Sequence, residues 1–182
     1  LIYTIELAPT SVLAKLYLAE FYKDIGELDK SINSARSALD ISSDLFNIHF
    51  FLSTIYIKQK KLVQAEQSLR KTIDLNPKFL EAYFNLADVL LKLDKLNDSR
   101  DFAYKAIQIN PNSSVSYINF GIVLEEMGKL KAAKRCLMKA LEIDPKSCLA
   151  CANLGRILLG LWDLEGAENL LKNAIKFDLT QF

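Results

Sequence analysis

Apolar residues return three and four positions apart in ten successive runs, at 12–25, 29–42, 46–59, 63–76, 80–93, 97–110, 114–127, 131–144, 148–161 and 165–178. That spacing lines one face of an α-helix, so the chain is predicted to be all-α. Short polar breaks separate the runs, and their punctuation is periodic. Prolines stand at Pro9, Pro77, Pro111 and Pro145, with gaps of 68, 34 and 34, and Ser43 fills the vacant slot of a 34-residue period. Asn76-Pro77, Asn110-Pro111 and Asp144-Pro145 each follow a helical run. A proline disfavours the α region for the residue before it, so each of these dipeptides stops a helix. On the same period Leu28, Leu62, Leu96, Leu130 and Leu164 are identical in all five copies. The pattern predicts five helix-turn-helix units, 12–45, 46–79, 80–113, 114–147 and 148–182, with 1–11 as the tail of a preceding unit.

The same register separates small from large positions. One slot of the first helix holds Ala19, Ser53, Ala87, Gly121 and Gly155, and two slots of the second hold Ser31, Ala65, Ser99, Ala133, Ala167 and Ala38, Thr72, Ala106, Ala140, Ala174. Leu18, Leu52, Leu86, Phe120 and Leu154, with Tyr22, Tyr56, Leu90, Leu124 and Leu158, fill the space between. Alternating sizes predict an interlocking core. Gly26 and Gly128 occupy the turn within a unit, where a left-handed residue costs glycine least; Lys60, Asp94 and Trp162 hold that slot elsewhere.

The fourth unit reads Tyr117, Phe120-Gly121, Leu124, Ala133, Leu137 and Pro145, and the third Tyr83, Leu86-Ala87, Leu90, Ser99, Ala103 and Pro111. This resembles the tetratricopeptide repeat (TPR). The resemblance covers 12–182. Its outer units depart most, with Lys15 and Cys151 for the aromatic and Ser43 and Leu179 for the proline. It implies an α–α superhelix, a solenoid of about five such units whose first helices line an inner groove.

Composition narrows the function. The 182 residues carry 23 basic and 22 acidic side chains, net +1, which argues against nucleic acid or an anionic membrane as the partner. No uncharged apolar stretch is long enough to span a bilayer. Three cysteines are an odd, sparse set that suits a reducing compartment, and a cytoplasmic location is expected. The chain opens on Leu1, as a fragment of a longer protein would. Apolar Leu1, Ile2, Ile5 and Leu7 at one end and Leu170, Leu171, Ile175, Phe177 and Phe182 at the other predict flanking repeats or self-association through the terminal helices.

Catalytic parts are sparse. His49, the single histidine, falls in an aromatic slot and reads as a packed, hydrogen-bonded residue. Cys148 and Cys151 lie on the first turn of a helix, where only Cys136 could join them, too few for a zinc site. Glu125 and Glu126 are adjacent on a helix and point about 100° apart. The charged segments 58–61 and 94–101 read as solvated surface. With no P-loop or G-x-G-x-x-G present, no enzyme, cofactor or metal is expected.

The resemblance exposes the second, fifth, sixth, ninth, twelfth and thirteenth slots of each unit to the groove. The fifth holds Leu16, Phe50, Phe84, Ile118 and Ala152; the sixth Tyr17, Phe51, Asn85, Asn119 and Asn153; the ninth Glu20, Thr54, Asp88, Ile122 and Arg156. Across all inner slots four bases (Lys23, Lys58, Lys92, Arg156) face six acids (Glu20, Asp24, Glu81, Asp88, Glu125, Glu126). Asn85, Asn119 and Asn153 form a ladder able to bracket peptide groups, similar to that of O-linked N-acetylglucosamine transferases. The basic and Asn clamp by which chaperone-binding members hold acidic tails is missing. Trp162 is expected to cover the last unit. The resulting expectation is a non-catalytic scaffold that binds an extended peptide or helical segment of a partner protein; the alternative is the substrate-recruiting arm of a larger enzyme such as a glycosyltransferase.

Overall fold

The structure, a computed structural model, describes residues 11–178. The expectations placed on 1–10, and on Leu179 and Phe182, lie outside the described residues. Ten helices and no strand occur among those described: α1 Val12–Asp24, α2 Leu28–Leu39, α3 Phe46–Lys58, α4 Leu62–Leu75, α5 Leu80–Lys92, α6 Leu96–Ile109, α7 Ser114–Glu126, α8 Leu130–Ile143, α9 Cys148–Gly160 and α10 Leu164–Asp178. Each second helix starts one residue earlier than the sequence pattern placed it, so the invariant leucine is its first helical residue.

The turn inside each pair explains that start. Gly26, Lys60, Asp94, Gly128 and Trp162 all have positive φ, between 58° and 84°. After each, a backbone N–H reaches back to close the preceding helix: Glu27 donates to the Tyr22 carbonyl (2.8 Å), Lys61 to Tyr56 (2.9 Å), Lys95 to Leu90 (2.9 Å), Lys129 to Leu124 (2.8 Å) and Asp163 to Leu158 (2.9 Å). This is the Schellman arrangement, which satisfies carbonyls a helix end would otherwise leave open. The residue before each proline is extended, with φ −138° at Asn76, −136° at Asn110 and −130° at Asp144. Their side-chain Oδ1 atoms accept from the N–H two residues on, at Lys78, Asn112 and Lys146. Ser11, Ser113 and Ser147 cap α1, α7 and α9.

The chain divides into two compact units between Val89 and Leu90, within α5. In the first, α1 packs on α2, α2 on α3 and α3 on α4. Ala19, Ala35, Ile48, Ile55, Ala65 and Leu69 are fully buried there. Ser31 Oγ donates to the Ala19 carbonyl (2.6 Å) and Arg36 Nη2 to the Tyr56 hydroxyl (2.9 Å), pinning α2 to its neighbours. In the second unit α7 packs on α8, α8 on α9 and α9 on α10 around Leu124, Leu137, Leu154, Ile157 and Leu158. Each such side chain contributes about 1.5–3 kcal/mol on burial.

Two glycines set how closely these helices approach. A Cβ on Gly121 would stand 3.0 Å from Leu137 Cγ, and one on Gly155 would stand 2.8 Å from Leu171 Cγ. The corresponding positions of the first pair hold Ala19 and Ala35, both fully buried. Glycine thus stands beneath a leucine in the last two pairs and alanine is matched with alanine in the first, while in the second pair the same register sets Ser53 with Leu69, both fully buried.

Candidate peptide-binding surface

In the first unit α1 presents Leu16, Glu20 and Lys23 along one stripe, four and three residues apart, and α3 presents Asn47, Phe50, Phe51 and Thr54. Together they enclose a cleft of about 330 Å³. Its apolar walls are the faces of Leu16, Phe50 and Phe51. Phe50 is held edge-on to Phe79 (4.8 Å between ring centres), which also meets Phe46 (5.3 Å). The polar groups are fixed locally. Lys23 Nζ stands 5.2 Å from the centre of the Phe51 ring and 4.0 Å from Asp24 Oδ1. Thr54 Oγ1 donates to the Phe51 carbonyl (2.7 Å), which leaves its oxygen able to accept. One acid and one base, Glu20 and Lys23, give the cleft both signs of charge.

Of the expected site residues, Leu16, Glu20, Phe50 and Phe51 therefore come together. Lys23, Thr54 and Asn47 join them from the twelfth, ninth and second slots. Tyr17, 52% exposed, stands on the adjoining face of α1 and does not line the cleft. Phe84 and Asn85 are half-buried and Asp88 is exposed on α5.

The second unit treats the same slots differently. Ile118 is 3% exposed and belongs to the core with Leu124, Ala150 and Leu154, so it is a packing residue and not a groove residue. Ile122 packs against the same cluster. Asn153 is 9% exposed; its Nδ2 donates to the Leu149 carbonyl (2.8 Å) and its Oδ1 accepts from Arg156 Nη2 (3.0 Å). Its amide is engaged inside its own helix, which removes it from the expected ladder. Arg156 Nη2 also donates to Glu125 Oε2 (2.7 Å), tying α9 to α7. Burial pushes the Glu125 carboxyl above its usual range, Arg156 opposes this, and Glu126 adds to it. Asn119 Oδ1 is enclosed and has no hydrogen-bond partner. Nothing in single-residue slot rules signals the Glu125–Arg156 pairing, which joins two successive helix-turn-helix repeats across 31 residues.

His49 and Tyr83 share a slot and a role: His49 Nε2 lies 3.2 Å from the Ser43 carbonyl, and the Tyr83 hydroxyl donates to the Pro77 carbonyl (3.0 Å). A carbonyl only accepts, so His49 carries its proton on Nε2. The three cysteines are free. Burial pushes the thiols of Cys136 and Cys151 up, with Arg135 opposing at Cys136 and with Cys148 and Asp144 adding at Cys151. Among the described residues no three His, Cys, Asp or Glu side chains gather as a metal site, and no helix is long and apolar enough to cross a membrane. Trp162 is 86% exposed and covers nothing, because its left-handed turn position points it away from the helices.

Stacked antiparallel helix pairs on a constant period, closed by identical turns, define an α-solenoid of repeats. Models of the tetratricopeptide repeat match residues 79–146 and 46–79, together more than half of the 182 residues, and the chain is a tetratricopeptide-repeat protein. No curated protein matches its sequence significantly. Solved structures share its fold. A crystal structure of MamA superposes with TM-score 0.76 at 21% identity, covering 90% of this chain and 96% of that one. YrrB, described as a TPR protein with an unusual peptide-binding site, gives 0.72 at 20% identity over 97% and 91%. PilF of Pseudomonas aeruginosa gives 0.77 at 18% identity over 91% and 76%.

Proposed function

We propose that the cleft between α1 and α3 holds an extended segment of a partner protein, which makes the chain a protein-interaction scaffold. The supporting observation is the cleft itself, which Leu16, Phe50 and Phe51 line together with the polar Glu20, Lys23, Asn47 and Thr54. Leu16, Phe50 and Phe51 would take apolar side chains, and the polar four would engage the backbone or flanking charges. YrrB, of the same fold, is described as having a peptide-binding site, which supports this class of ligand. The asparagine ladder is not part of the proposal, since Asn153 is already engaged.

Peptides selected from a random displayed library against the purified chain test the reading. Calorimetry should give a single saturable site that weakens at least about tenfold in Thr54→Arg, which fills the cleft, and in Lys23→Glu. Full affinity in both variants would place peptide binding elsewhere.

A further inference from the structure

The second unit carries a different concavity at its turn edge. A cleft of about 520 Å³ opens between the α7–α8 turn and the end of α9, with Leu130, Ala132 and Leu161 as apolar lining and Lys129, Lys131 and Arg135 beside them. The charge there departs from the near-neutral whole. Between Glu126 and Glu142 the sequence holds Lys129, Lys131, Lys134, Arg135 and Lys139 and no acid. Lys139 is paired with Glu142 (2.8 Å), whereas the other four have no ion-pair partner among the described residues. The helix adds to this field: α8 has no side-chain cap and no acid in its first turn, so its partial positive charge is unopposed.

Next to Leu161 stands Trp162, with φ 62° and most of its surface in solvent, flanked by exposed Leu159 and Leu164. The left-handed φ belongs to the turn, as at Lys60 and Asp94, and at this position it leaves the indole 86% exposed, an apolar surface open to contact. Cations beside an apolar concavity and an exposed aromatic suit an anionic, amphipathic ligand. An anionic membrane has the same chemistry, yet the apolar lining of Leu130, Ala132 and Leu161 lies within a cleft, which suits a single inserted side chain better than a flat bilayer surface.

We propose that this edge docks an acidic amphipathic segment of a partner protein. One apolar side chain of the segment enters between Leu130 and Leu161, its carboxylates meet Lys129, Lys131, Lys134 and Arg135, and its apolar face rests on Trp162. The site is independent of the α1–α3 cleft.

Trp162 is the only tryptophan of the chain, so its fluorescence reports on this edge directly. The chain is titrated with a synthetic helical peptide bearing Leu and Phe on one face and Glu on the other, with its Lys-substituted counterpart, and with phosphatidylserine or phosphatidylcholine vesicles. The acidic peptide should give a saturable blue shift that weakens at least about tenfold in Lys131→Glu/Arg135→Glu and falls with salt. Thr54→Arg should leave the shift unchanged, which separates this site from the first-unit cleft. Circular dichroism checks that the charge reversals fold, and Lys131→Gln/Arg135→Gln serves if they do not. No shift with the acidic peptide, equal binding of the Lys peptide, indifference to the charge variants, or a response to phosphatidylserine vesicles alone would overturn the proposal.

Discussion

His49 and Tyr83 show how one slot accepts different chemistry for one task. Each sends a polar ring tip to the carbonyl six residues upstream, at Ser43 and Pro77, and so ties the loop between units to the helix that follows. His49→Tyr should keep that bond and leave stability within about 0.5 kcal/mol, whereas His49→Phe should lose about 0.5–1.5 kcal/mol by denaturant unfolding. Gly155 is constrained from the other side. Alanine there would drive a methyl to 2.8 Å from Leu171 Cγ, and Gly155→Ala should cost about 1–3 kcal/mol despite alanine's better helix propensity. At the left-handed turn the sign reverses, because Lys60 sits with φ 58° where Gly26 and Gly128 sit at ease. Lys60→Gly should raise the thermal midpoint, by up to about 1 kcal/mol in stability. The sequence period made the small slots visible, but not that Leu137 and Leu171 press directly on Gly121 and Gly155. That pairing joins residues in different registers of the repeat and needed the packing to be seen.

At the scale of elements, nearly all of the fold was legible. Apolar spacing located ten helices and proline placed the stops, because both signals are local: a side chain's face and a dihedral clash do not depend on distant neighbours. The one-residue shift of every second helix arose because the Schellman turn ends just before the invariant leucine, a backbone fact that hydrophobic spacing does not carry. Helix packing also decides the chemistry of the thiols. Cys151 is buried on α9 and Cys136 half-buried on α8, and burial pushes both thiols up and away from the reactive thiolate. Titration with a disulfide reagent at neutral pH should find both slow in the native protein and fast in denaturant; rapid native labelling of Cys151 would mean that α9 opens readily.

For the whole molecule, the candidate site was legible in part. Slot rules named Leu16, Glu20, Phe50 and Phe51, which do converge in the first unit, because α1 and α3 follow the family register and their slots stay open. They failed at Ile118 and Asn153. There the same slots are closed by core packing and by the Arg156 network, which depend on what neighbouring helices supply. A groove residue is defined by what leaves it uncovered, and a single helix does not encode that. Nuclear magnetic resonance titration of the chain with a library-selected peptide tests the central reading most directly. Shifts concentrated at Leu16, Glu20, Lys23, Phe50, Phe51 and Thr54 are the predicted result. Shifts confined to the outward faces of α2 and α4, with those six residues unmoved, would contradict it.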